Sequence, residues 1–132
     1  MAFSQEKIPA PQRLIEEEIA KVVNLGNIRA AFLFSEEGLS LAEVPGDNTT
    51  SVSQALELAL SVQDAVNLLN EREQLQGTRE LIFVTHSRTR YVIRYFKAFA
   101  QRVTLVLIVP PGKTYRAHTN RIIRAIKNIS KL

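Results

Sequence analysis

The chain has 132 residues and a formal net charge of +4, and is 45% hydrophobic and 23% charged, the profile of one soluble domain large enough for a core of its own. It contains no cysteine, which excludes disulfides, thiolate catalysis and cysteine–zinc sites. No apolar run reaches the roughly 18 residues of a membrane span, and the amino terminus lacks a secretory apolar region, so a cytoplasmic location is the expectation.

Residues 1–10 read as a flexible polar tail, and residues 11–132 as a single domain that Pro9 and Pro11 introduce. From Leu14 to Leu25, the apolar Leu14, Ile15, Ile19, Val22 and Val23 recur at roughly helical spacing, which buries one face. Glu16, Glu17 and Glu18 on the same helix read as a solvated face near the positive end of its dipole. Gly26 suits the left-handed residue that closes a helix, because it has no Cβ to penalise positive φ. Ile28 to Phe34 is a nearly continuous apolar run, as in a strand covered on both faces. A Glu36-Glu37-Gly38 turn then reverses the chain into a partner strand, where Leu39, Leu41 and Val44 alternate with smaller or polar residues. Pro45-Gly46-Asp47-Asn48 is a loop.

A long helix is predicted from Val52 to Leu75, opened by a capping box of Ser51 and Gln54. At about 100° per residue, Val52, Ala55, Leu56, Ala59, Val62, Val66 and Leu69 form one stripe, which Leu58, Ala65 and Leu68 widen. That stripe exceeds what a helix lying on a single sheet needs, so it predicts a second surface to bury against. After Gln76-Gly77-Thr78 come three strands, Leu81–Thr85, Tyr91–Lys97 and Val103–Val109, joined by His86-Ser87-Arg88-Thr89 and Ala98-Phe99-Ala100-Gln101 as an antiparallel meander. Pro110-Pro111-Gly112 stops the sheet. A closing helix from about Thr114 buries Tyr115, Ile122, Ile126 and Ile129 and exposes Arg116, Arg121, Arg124, Lys127 and Lys131. The predicted class is α+β, in the order α-β-β-α-β-β-β-α, a five-stranded antiparallel sheet with helices on both faces.

The sequence holds no catalytic constellation. Phosphate-binding Gly-x-x-x-x-Gly-Lys, dinucleotide Gly-x-Gly-x-x-Gly and nucleophile-elbow Gly-x-Ser-x-Gly patterns are all missing. Pro111-Gly112-Lys113-Thr114 echoes the end of a phosphate loop without its upstream glycine. His86 and His118 have no paired spacing to each other or to a carboxylate cluster. Arg88, Arg90, Arg94, Lys97 and Arg102 on the meander, together with the basic face of the last helix, form a cluster of the kind that neutralises phosphates. Tyr91 and Tyr95 share a strand with Arg90 and Arg94 but point to its other face, so stacking and phosphate contact would not share one surface. The terminal Ser130-Lys131-Leu132 spells a peroxisomal address, which needs a eukaryotic source and an exposed end.

The Leu25-Gly26-Asn27-Ile28 junction, the Glu36-Glu37-Gly38-Leu39 hairpin, the long second helix, the meander and the Leu105-Val106-Leu107-Ile108 strand before a terminal helix together resemble the roadblock family of dynein light-chain-type domains. The resemblance runs from about Pro11 to Leu132, with longin and profilin-like domains sharing parts of the layout. It is to prokaryotic single-domain members, and it implies a non-catalytic homodimer that binds a Ras-like small GTPase as regulator or scaffold, with no cofactor, metal or nucleotide site of its own. In the implied fold the Leu81–Val84 strand lies at a sheet edge, where unpaired backbone invites another chain. The implied dimer pairs Leu81, Ile82, Phe83 and Val84 between copies and packs Val62, Val66 and Leu69 across the two-fold. By helical phase Glu57, Ser61, Asp64 and Glu71 lie on the polar arc of the long helix and are the candidate partner residues. The alternative, from a different class, is a basic nucleic-acid or anionic-surface module using the C-terminal helix.

Overall fold

The computed structural model describes residues 10–46, 50–72 and 77–132. Most of the expected tail, Asp47 and Asn48 of the expected loop, and Leu75 and Gln76 at the expected end of the long helix lie outside the described residues. The elements are α1 (Pro11–Val23), β1 (Ala30–Phe34), β2 (Ser40–Val44), α2 (Val52–Asn70), β3 (Glu80–Val84), β4 (Arg90–Ala98), β5 (Gln101–Val109) and α3 (Arg116–Ile129). The strands form one five-stranded sheet in the order β2-β1-β5-β4-β3, antiparallel at every pairing. The element order is the one the sequence predicts.

Two hydrophobic layers sandwich the sheet. β1 is buried along its whole length, and its side chains divide by strand parity. Ala31 and Leu33 join Ile15, Ile19 and Val22 of α1 and Ile122, Ile123 and Ile126 of α3. Ala30, Phe32 and Phe34 face the other way, toward Ala55, Ala59 and Val66 of α2. The helices therefore cover both faces, α1 with α3 on one and α2 alone on the other.

Local chemistry explains the boundaries. Pro11 opens α1, where its missing N–H is one the helix would leave unpaired anyway. Gly26 closes the turn after α1 at φ +90°, and Asn27 Nδ2 donates to the Thr114 carbonyl at 2.9 Å, tying that junction to the approach of α3. Ser51 and Gln54 form the capping box at the start of α2, with Gln54 N–H donating to Ser51 Oγ at 3.2 Å and Ser51 N–H donating to Gln54 Oε1 at 2.9 Å.

Several expectations are corrected. The first turn of α1 holds no acidic residue, so Glu16, Glu17 and Glu18 lie past the reach of the helix dipole. Glu17 pairs with Arg13 at 3.4 Å, Glu18 with Lys21 at 3.0 Å, and Glu16 Oε2 accepts from the Glu43 N–H at 2.8 Å. Leu39, Leu41 and Val44 do not alternate on one face. The β1–β2 register steps from Leu33–Ala42 to Phe34–Ser40, so a bulge at Leu41 resets the phase, Ala42 turns inward and Leu39 is exposed. The Phe99-Ala100 link between β4 and β5 has positive φ at both residues, 55° and 58°. A two-residue hairpin loop demands that geometry, here without the usual Asn or Gly.

Candidate functional site

α2 lies over β1 and β5 and shares a buried cluster with Ile93 and Tyr95 of β4, while Tyr91 of β4 is half-buried and Phe83 of β3 is exposed. β3 has β4 as its one neighbour and forms the sheet edge. Its centre is apolar and open: Ile82 is 42% exposed, Phe83 40% and Val84 66%. The pairing of Leu81 with Ile93 and Phe83 with Tyr91 places Leu81 and Phe83 on the α2 side, and Ile82 and Val84 on the α3 side. Between α2 and the β3–β4 ladder runs an open groove of about 420 Å³, walled by Ala55, Leu58, Phe83, Tyr91 and Val106. Apolar surface that a chain leaves open beside an unpaired edge is the pattern of a protein-binding face.

The predicted site residues fall into three groups. Leu81 is half-buried, while Ile82, Phe83 and Val84 are exposed at the edge. Glu57, Ser61, Asp64 and Glu71 are all exposed on one arc of α2, and the Ser61 hydroxyl is already committed to the Glu57 carbonyl at 2.7 Å. Val62 and Leu69 are half-buried. Val66 is corrected: its exposure is 0% because it sits against the chain's own sheet among Ala55, Ala59 and Ile93, so it has no surface to offer across a two-fold. Leu68 is corrected in the opposite sense. It does not widen the buried stripe but is 63% exposed, within about 20° of Glu57 on the helical wheel. Leu60, 58% exposed, joins it there. The outer face of α2 is thus mixed, two leucines among carboxylates.

Much of the basic cluster has structural employment. Arg90 donates through Nη2 to the Pro110 and Lys113 carbonyls and lies over the Tyr115 ring at 5.3 Å. Arg102 stacks on Tyr95 at 4.6 Å. Burial pushes the Tyr95 hydroxyl above its ordinary pKa of 10.0, against the opposing pull of Arg102. Arg116, Arg121, Arg124, Lys127 and Lys131 are exposed as expected, with Lys127 over Phe96 at 5.9 Å. Tyr91 and Tyr95 belong to the α2-side core, opposite Arg90 and Arg94, as strand parity predicts. His86 is exposed in the β3–β4 turn and His118 is on α3. Among the described residues no group of three or more His, Asp or Glu side chains is placed to hold a metal ion, and no helix is long and apolar enough to cross a membrane.

No protein-family model and no curated protein matches the sequence. Solved structures do match the fold. The gliding protein MglB of Thermus thermophilus is 16% identical with a TM-score of 0.65, over 94% of this chain and 93% of that one. An MglB in a tetrameric arrangement is 17% identical with a TM-score of 0.72, over 94% and 93%. A Roadblock/LC7 domain from Streptomyces avermitilis is 15% identical with a TM-score of 0.67, over 86% and 92%. The fold of this chain is the roadblock fold.

Proposed function

We propose that residues 11–132 act as a single non-catalytic domain, that two copies join through β3 and α2, and that the homodimer serves in the cytoplasm as regulator or scaffold of a Ras-like small GTPase. The observation that carries this reading is the open apolar edge, with Ile82, Phe83 and Val84 at 40–66% exposure. Covering the exposed half of each such side chain is worth about 1 kcal/mol, and the two-fold counts each contribution twice. The roadblock fold supports the partner class, and the tetrameric MglB structure is a self-association within the same fold. With Val66 buried in the monomer core, the helix contacts across the two-fold fall to Val62 and Leu69, and the exposed Leu60 and Leu68 lie among the platform residues.

Paired α2 helices make a platform on which Glu57, Ser61, Asp64 and Glu71 meet the partner, one GTPase per dimer. Calorimetry with a purified Ras-like GTPase of the source organism tests it. We expect two chains to one GTPase, and at least tenfold weaker binding after Glu57→Lys with Asp64→Lys, with the dimer intact. The pair Arg121→Glu with Arg124→Glu should have little effect; if it abolishes binding while the first pair does nothing, the platform is misplaced. The chain alone should neither bind nor hydrolyse GTP or ATP, since it has no glycine-rich loop to converge backbone N–H groups on phosphates.

The exposed basic face of α3 favours a second reading, a nucleic-acid or anionic-surface module. Counterion release gives that reading a steep salt dependence of binding, which a mainly apolar contact lacks.

A further inference from the structure

On the α3 side of the sheet, three arginines from distant parts of the chain converge. Arg79 immediately precedes β3, Arg94 lies in the middle of β4, and Arg116 is the first residue of α3. With Glu80 and Asn120 they line a pocket of about 300 Å³, at the lower end of the range for small-ligand sites. The Glu80–Arg94 register across β3 and β4 fixes its floor. There Arg94 Nη1 stands 3.6 Å from Glu80 Oε1, with the two side chains only 15% and 22% exposed. Neither Arg94 Nε nor Glu80 Oε1 has a hydrogen-bond partner, although both atoms are buried. Three arginines therefore line the pocket with one carboxylate, and Arg94, ion-paired through Nη1, keeps its buried Nε without an acceptor. Leaving such a group without a partner is costly.

We infer that this pocket is an oxyanion site that takes a phosphate group. A tetrahedral oxyanion supplies what the pocket lacks: negative charge for the guanidinium surplus and several acceptor oxygens for planar, forked donors. Arg94 Nε donates from the floor, Arg79 and Arg116 close from the rim, and the Asn120 amide adds a neutral donor. Glu80 gives the site a preference within the class. A phosphate that keeps a P–O–H donates it to Glu80 Oε1, whereas sulfate has no proton to donate and meets a carboxylate with bare oxygens. Every lining residue is charged or an amide, with no aromatic side chain to stack on a base, so the site suits free phosphate or a small phosphomonoester and not a nucleotide. It depends on neither the dimer nor the GTPase.

The test is titration of the full chain with inorganic phosphate, sulfate and glycerol phosphate by calorimetry, ionic strength held constant with chloride. Saturable phosphate binding at millimolar or lower concentration is expected, with sulfate at least threefold weaker. Arg79 and Arg116 are exposed rim residues, so the double variant Arg79→Ala with Arg116→Ala keeps the fold, and it should bind phosphate at least tenfold more weakly. Arg121→Ala with Arg124→Ala, equally basic but elsewhere on α3, should bind like the wild type, and Glu80→Gln should lose the preference over sulfate. Tighter binding of glycerol phosphate assigns the site to a phosphomonoester, and tighter binding of inorganic phosphate assigns it to the free ion. The inference is overturned by no saturable binding to the wild type, by equal binding to the rim double variant, or by an equal loss in the Arg121, Arg124 control.

Discussion

The two edges of the sheet are built to opposite specifications. β2 is a closed edge. It is bulged at Leu41, packed against α1, and plugged where Glu16 Oε2 accepts the Glu43 N–H at 2.8 Å. Its exit is fixed by Gly46 at φ +64°, where a Cβ would overlap the Arg29 carbonyl. β3 is an open edge. Leu81, Ile82, Phe83 and Val84 form an apolar run with no lysine, proline or inward charge, and the last three are exposed. Bulges, charges and covering helices are how proteins keep an edge from pairing, and the chain applies all three at β2 and none at the centre of β3. The difference leaves β3 as the edge open to another chain.

The strongest challenge to that contrast is the same substitution at both edges. Ile82→Lys should raise the dimer dissociation constant about thirty-fold or more, the scale of a central interface residue. Glu43→Lys on the exposed outer side of β2 should leave the association unchanged; sedimentation of the two variants reads both. Gly46→Ala attacks the closed edge from within. With Ala forced to positive φ and its Cβ against the Arg29 carbonyl, we expect about 2–4 kcal/mol of lost stability by urea unfolding, felt by the monomer fold and not by the β3 contact. Ser51→Ala removes the capping box of α2 and should cost about 1 kcal/mol, lowering the melting temperature by a few degrees. Tyr95→Phe, inside the sheet on β4, should have the smallest effect at neutral pH, because it deletes a buried hydroxyl that has no partner. Its signature is alkaline. The folded pKa of Tyr95 is raised above 10.0, so an unfolded chain loses that proton first and stability falls as pH rises past about 10. Tyr95→Phe should flatten that fall in a pH series of unfolding curves.

Much of this was legible before the structure. Element order, the Gly26 closure, the Ser51 capping box and the doubly covered β1 all follow from local residue chemistry, which acts over a few positions. The excess apolar width of α2 was also readable, but its division was not. Val66 and Leu68 are both apolar on one helix, and only the position of the sheet sends the first to 0% exposure and the second to 63%. The β2 bulge escaped because pairing with Phe34 skips Leu41, a register fact with no local marker. Phe99 and Ala100 adopt positive φ without the Asn or Gly that normally announces it. The arginine pocket was the least visible feature. Arg79, Arg94 and Arg116 meet only through the β3–β4 register and the docking of α3, so the sequence puts Arg94 and Arg116 in a general basic cluster and gives Arg79 no mark at all.

That β3 joins two chains is tested most directly by sedimentation equilibrium of the wild-type protein at tens of micromolar. The predicted result is a species of twice the 14.9 kDa chain mass that dissociates reversibly on dilution. A folded wild-type chain that remains at 14.9 kDa across that range would contradict it.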